Sequence, residues 1–165
     1  MTFDPQKRRL DQLLPQIRSG EIQLPEFQRN YVWKWGQRFH LLNSVQRGYP
    51  IGTLLFLETS ADSAGSVFKS RLVQGVDETS EANSASPNEL ILDGQQRLTT
   101  LFQAFNRSGN YWYCLDLKDL FKATGGQKNV EVDIEDFVKR QRASKSPQST
   151  LHNKHLLPLF FVVVD

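Results

Sequence analysis

Apolar residues recur at helical spacing at Leu10, Leu13, Leu14 and Ile17, so the chain is expected to open with a helix over 5–18 that Gly20 terminates. Pro15 lies inside it and predicts a break into two short pieces. Over 22–33 apolar and polar positions alternate as in an extended segment, with Gln28 and Arg29 among the polar members and Tyr31 and Trp33 beside them. Phe39, Leu41, Leu42 and Val45 predict a second helix from Lys34 or Gly36 to Arg47, closed by Gly48-Tyr49-Pro50; His40 is expected there as a partly buried structural residue. The stretch 53–58 is apolar on both faces and reads as a central strand.

Polar and small residues then dominate 59–88, read as a surface insertion that holds a short edge strand within 67–76 and is most mobile over 80–88. The apolar run Leu90-Ile91-Leu92 is a buried strand, and Leu98, Leu101, Phe102 and Phe105 carry a helix to about Asn106. A strand over 111–117, a turn over 124–127, a short helix over 133–141 capped by Asp133, a basic loop over 142–150 and a buried strand over 156–164 complete the pattern. There is no internal repeat and no linker, so 1–165 reads as a single domain.

Composition fits this reading. A chain of 165 residues with 39% hydrophobic content has the size and apolar content of one domain with a real core. A net charge of +2 and an isoelectric point near 8.7 permit a nucleic-acid partner without requiring one. The single cysteine, Cys114, excludes a disulfide framework, points to a reducing compartment and sits in an apolar run suited to core packing. The charged N-terminus lacks a signal core, and 156–164, interrupted by Pro158, is far short of the roughly 20 residues a spanning helix needs, so a cytoplasmic, membrane-free protein is expected. Ending at Asp165 directly after Phe160-Phe161-Val162-Val163-Val164 suggests a truncated piece of a longer protein.

The segment Leu92-Asp93-Gly94-Gln95-Gln96-Arg97-Leu98-Thr99-Thr100-Leu101 is the most informative, because an apolar strand stops in a knot of polar groups and turns into a helix. Two readings stand. In one, the free N–H groups of the first helical turn, the helix dipole and Gly94 form an anion seat, and Arg97 supplies a planar fork for phosphate. In the other, Asp93 caps a helix whose solvated face carries the glutamines and Arg97. Capping alone leaves unexplained two glutamines and an arginine between strongly apolar stretches.

The blocks Leu24-Pro25-Glu26-Phe27-Gln28-Arg29-Asn30-Tyr31-Val32-Trp33 and Ile91 to Leu101, joined by Leu42-Asn43-Ser44-Val45-Gln46-Arg47-Gly48-Tyr49-Pro50-Ile51-Gly52, resemble the signature of the GmrSD N-terminal domain family, within the ParB/sulfiredoxin-like superfamily. The resemblance implies an α+β fold, a ParB/sulfiredoxin-like compact mixed sheet with flanking helices. It further implies a domain of bacterial modification-dependent restriction proteins whose Asp-Gly-Gln-Gln-Arg motif takes part in nucleoside triphosphate binding and hydrolysis. That motif stands here as Asp93, Gly94, Gln95, Gln96 and Arg97, with Gln28-Arg29 matching the other polar block. The helical region and the His-Asn-His nuclease domain of larger members are missing from this chain. His152-Asn153-Lys154-His155 does not replace that nuclease, since four consecutive residues cannot spread over the two strands and helix of a ββα-metal centre. The superfamily's sulfinic acid repair chemistry is also not expected: it needs a cysteine beside the arginine, and Cys114 lies well beyond Arg97.

Under this resemblance Arg97 and Arg29 are phosphate clamps, Gly94 forms the cradle, and Asp93 holds Mg²⁺ directly or through water. Gln95 or Gln96 orients the attacking water, Gln28 belongs to the nucleotide site, and Tyr31 or Trp33 stacks on base or ribose. Thr99 and Thr100 serve the first helical turn or touch phosphate, while Phe27 and Trp33 also read as core. A second hypothesis is a module that senses modified DNA without hydrolysis, through Lys139, Arg140, Arg142 and Lys145. A third is a domain that itself nicks DNA. The expected partners are therefore a nucleoside triphosphate, DNA and a separate nuclease domain or subunit.

Overall fold

In the computed structural model, which describes residues 5–59, 68–78, 81–106, 108, 111–127, 130, 136, 138–142 and 155–158, the first element is helix α1 (Leu10–Ser19). Leu13 and Ile17, one turn apart, are both buried, and Gly20 closes the helix. The helix runs unbroken through Pro15, contrary to the expected break. A proline in a helix interior costs about 3 kcal/mol, whereas burying Leu13 and Ile17 returns about 1.5–3 kcal/mol each, so the buried face wins.

Strand β1 (Ile22–Pro25) is buried at all four positions, so the alternation expected over 22–33 gives way to a doubly covered strand and then a turn. Gln23 is tolerated there because its side chain is fully used: Nε2 donates to the carbonyls of Gly20 and Ala85, both at 3.0 Å, and Oε1 accepts from Ser70 Oγ at 2.7 Å. Helix α2 (Trp35–Gln46) buries Leu41 and Leu42, and its first turn is held by the Lys34 N–H donating to Gln37 Oε1 at 3.1 Å. His40 is exposed, not partly buried. Its neighbours on α2 that turn inward are Leu41 and Leu42.

Strands β2 (Leu55–Glu58), β3 (Ser70–Arg71) and β4 (Glu89–Asp93) join β1 in a sheet of order β2-β4-β1-β3. The β1–β4 pair is parallel, with Ile22 opposite Glu89, and the other two pairs are antiparallel, so the sheet is mixed. Together with its helices it gives the α+β architecture expected. β2, expected in the centre, lies at an edge, and β4 takes the inner position with Leu90 and Ile91 both buried. On β2 Phe56 packs against the core cluster, and the Arg8 guanidinium lies 5.1 Å from the centre of its ring while pairing with Glu89 at 2.6 Å. The edge strand expected within 67–76 is β3. Val73, Val76 and Ala82, the last on the 3-10 helix Glu81–Ser84, join α1, β1, β4 and helix α3 (Gln95–Phe105) in one apolar cluster with Leu98 and Phe102 at its centre.

The chain divides into two compact units, residues 1–102 and 103–165. In the second, β5 (Tyr111–Asp116) is flanked antiparallel by β6 (Val138–Arg142) and β7 (Leu156–Pro158). The strand expected to reach residue 117 stops at Asp116, whose Oδ1 accepts from the N–H groups of Lys118 and Asp119, both at 3.1 Å. It thereby starts a helix that sequence reading missed, α4 (Leu117–Thr124). The helix expected over 133–141 is corrected: 138–142 is strand β6, because Val138 to Arg142 pair residue by residue with β5. Asp133, the basic loop 143–150, His152 to Lys154 and 159–164 lie outside the described residues.

Cys114 is fully buried on β5, as its apolar run suggests, and burial pushes its thiol up to about 11. It is expected to stay unmodified when the folded chain meets a thiol reagent at pH 7.5 and to react fully once urea is added. Mass spectrometry reads the two states, and prompt labelling of the folded chain would contradict this burial.

Candidate functional site

The end of β4 and the start of α3 are separated by one residue, Gly94, which is buried and has φ +93°. The conformation requires glycine, and a Cβ there would also press on the end of the Leu54 side chain. The first helical bond runs from the Leu98 N–H to the Gly94 carbonyl at 2.9 Å. The N–H groups of Gln95, Gln96 and Arg97 precede it and have no place in the helix ladder. They form the positive end of the helix dipole.

Arg97 is held at this helix start. Its Nη1 donates to the Ile51 carbonyl at 2.7 Å and its Nη2 to Asp93 Oδ2 at 3.0 Å. Gly52, with φ +85°, lets the guanidinium in, since a Cβ there would stand 2.5 Å from Nη1. Two of five donors are thus engaged, which leaves three for a ligand. The Asp93 side chain is 69% exposed, so its ion pair with Arg97 contributes only about 0–1 kcal/mol and exchanges readily for a phosphate oxygen.

The two glutamines face the segment that follows β1. Gln95 Nε2 donates to the Arg29 carbonyl at 2.8 Å. Gln96 uses both ends of its amide: Oε1 accepts from the N–H groups of Val32 at 2.9 Å and Trp33 at 3.2 Å, and Nε2 donates to the Asn30 carbonyl at 3.1 Å. Gln28 reciprocates by donating from Nε2 to the carbonyls of Ile91 and Leu92, at 2.6 and 2.9 Å. Arg71 Nη2 adds bonds to the carbonyls of Gln28 and Arg29, at 3.2 and 3.1 Å. A loop without helix or strand therefore keeps its backbone partners through side chains. This is the physical reason for crowding glutamines between apolar stretches.

Tethering the loop to the helix start creates a cleft of about 370 Å³ whose walls include Gln28, Arg29, Gly94 and Arg97. The two polar blocks, far apart in the chain, thus meet on one surface. Arg29 is exposed, and its guanidinium has no partner among the described residues. Trp33 also lines the cleft, half-buried. Phe27 is not core: it is 66% exposed at the cleft and packs edge-on against Phe68 with ring centres 5.4 Å apart.

Other expected members stand off the cleft wall. Thr99 is completely buried, which removes it from any contact with phosphate. Tyr31 is committed elsewhere: its hydroxyl bonds Thr100 Oγ1 at 2.8 Å, and the Arg38 guanidinium covers its ring at 4.6 Å. Ile51 and Gly52, which position Arg97, were missed; the turn-like Gly-Tyr-Pro-Ile-Gly run was their only signal in the sequence.

The basic residues of the second unit are described only in part. Lys139 and Arg140 are neighbours on β6 and so point to opposite faces, and Lys139 Nζ lies 3.7 Å from Asp119 Oδ2. Arg142 ends β6, and Lys145 lies outside the described residues. Among the described residues no three His, Cys, Asp or Glu side chains gather as a metal centre, and no helix is long and apolar enough to cross a membrane.

An uncharacterized protein of Methanocaldococcus jannaschii, MJ0686, is 31% identical over 147 residues, which make up 84% of this chain and 23% of that protein. This chain therefore spans less than a quarter of its relative's length. No solved structure gives a significant match. The family model described as GmrSD restriction endonuclease, N-terminal domain, matches residues 10–159. With that match covering nearly the whole chain, both polar blocks included, the chain belongs to the GmrSD restriction endonuclease N-terminal domain family.

Proposed function

We propose that this restriction-related domain binds and hydrolyses a nucleoside triphosphate in the cleft at the start of α3. In this reading it is the regulatory domain of a modification-dependent DNA restriction protein, and it passes the nucleotide state to a nuclease domain or subunit outside this chain. The observation that carries the reading is the convergence of Arg29, Arg97, Gly94 and the residues of the first turn of α3 on one cleft.

Phosphoryl hydrolysis needs charge neutralisation and an oriented water more than covalent chemistry. Arg97 presents its free donors to phosphate oxygens while the Ile51 carbonyl fixes its position, and Arg29 supplies a second cation from the loop after β1. A single carboxylate suits a Mg²⁺ ion held mainly by phosphate oxygens and water, with Asp93 as its one protein ligand. That ion would neutralise phosphate charge. The two glutamines separate by their bonds: Gln96 spends its whole amide on the loop, whereas Gln95 engages only Nε2. Gln95 Oε1 is therefore the group that accepts a hydrogen bond from the attacking water.

Calorimetric titration of the chain with ATP and GTP, with and without Mg²⁺, tests the reading, and phosphate release follows turnover. Saturable binding is expected. Heat indistinguishable from dilution for every triphosphate would end it.

A further inference from the structure

The turn after β1 places an aromatic ring in the cleft beside the polar groups of the loop and Trp33. Phe27 is 66% exposed and Phe68 is 45% exposed, yet they pack on each other at 5.4 Å with planes 69° apart. The arrangement is fixed by the backbone: Pro25 pairs with Ser70 across β1 and β3, and the Glu26 N–H donates to the Lys69 carbonyl at 2.8 Å. Of the two rings that of Phe27 lines the cleft, together with Arg29, Arg97 and Gly94. One cleft thus offers cationic donors together with an exposed aromatic ring. The ligand class that matches both is a polyanion carrying a planar ring.

We propose that the Phe27–Phe68 pair is the platform on which the base of the bound nucleotide stacks, a role sequence reading gave to Tyr31 or Trp33. Tyr31 is not among the residues that line the cleft, and the Arg38 guanidinium covers one face of its ring. The proposal rests on the reading of this cleft as a triphosphate site and adds the base to it. A hydrocarbon platform has no hydrogen-bonding edge with which to tell adenine from guanine, because every base has a π-face. The site should therefore rank nucleotides by ring area, with ATP and GTP close together and ahead of CTP and UTP.

The test titrates the chain and its Phe27→Ala and Phe27→Trp variants with ATP, CTP, inorganic tripolyphosphate and a short single-stranded oligonucleotide. Phe27→Ala should weaken ATP about tenfold or more, the size of aromatic stacking on one base. It should leave tripolyphosphate affinity within twofold of wild type, which also shows that the variant is folded. Phe27→Trp should keep ATP affinity and lose fluorescence as ATP binds. Equal loss of ATP and tripolyphosphate, or no loss of either, overturns the platform. So does a loss confined to the oligonucleotide, which would assign the ring to DNA. Failure of the wild-type chain to bind either triphosphate or tripolyphosphate instead removes the nucleotide reading, and the platform with it.

Discussion

Replacing Arg97 by alanine is expected to abolish phosphate release, by at least a thousandfold, while leaving a folded chain. The magnitude follows from the role proposed for the guanidinium: an arginine that neutralises charge on a transferring phosphoryl group contributes about 10³–10⁵ in rate. The structural loss is smaller by comparison. Removing the side chain deletes one bond to the Ile51 carbonyl and one partly exposed ion pair to Asp93, together about 1–2 kcal/mol. Arg97→Lys separates the two effects. A lysine can still reach a carbonyl but cannot offer the planar fork, so it should restore most of the stability and little of the turnover. Phosphate release within tenfold of wild type in Arg97→Ala would remove this residue from the chemistry.

Gly94→Ala should be the most destabilising single methyl that can be added to the site. The new Cβ meets Leu54 Cδ2 at 2.2 Å, and the backbone at φ +93° is strained for any L side chain. Overpacking costs about 1–3 kcal/mol and a disfavoured backbone region a further 1–3 kcal/mol, so a loss of about 2–5 kcal/mol is expected from urea unfolding. The two parts can be separated by a double-mutant cycle. Leu54→Ala should relieve the clash but not the dihedral strain, so the double variant should recover part of the loss and never all of it. A fall below 0.5 kcal/mol in Gly94→Ala, by the measure of ordinary surface substitutions, would mean that the turn relaxes without cost.

The turn at residue 94 was legible because three local signals coincide there: a buried strand, a glycine and a helical apolar period. So was the partnership of its polar block with Gln28 and Arg29, which the family signature links in sequence and the cleft links in space. What escaped depends on partners distant in the chain. Whether 55–58 is central or at an edge is decided by β4 inserting beside β1, which no local pattern records. Val138-Lys139-Arg140-Gln141-Arg142 has too few apolar residues to show a period, and only pairing with β5 makes it a strand. Helix α4 hides because its cap, Asp116, is also the last residue of β5. The exposure of Phe27 could not be read either, since an aromatic in an alternating segment has the same sequence signature whether it faces the core or a cleft.

The bonds that hold the loop over 28–33 against β4 and α3 come mostly from three glutamines, and the amides of Gln28, Gln95 and Gln96 bind no proton in the range where proteins stay folded. A cleft framed by carboxylates or histidines would change shape as those groups titrate. The three amides of this one stay unchanged from mildly acidic to mildly alkaline solution, so a pH profile of the site reports on its ligand and on the groups that bind it, with the glutamine tethers silent.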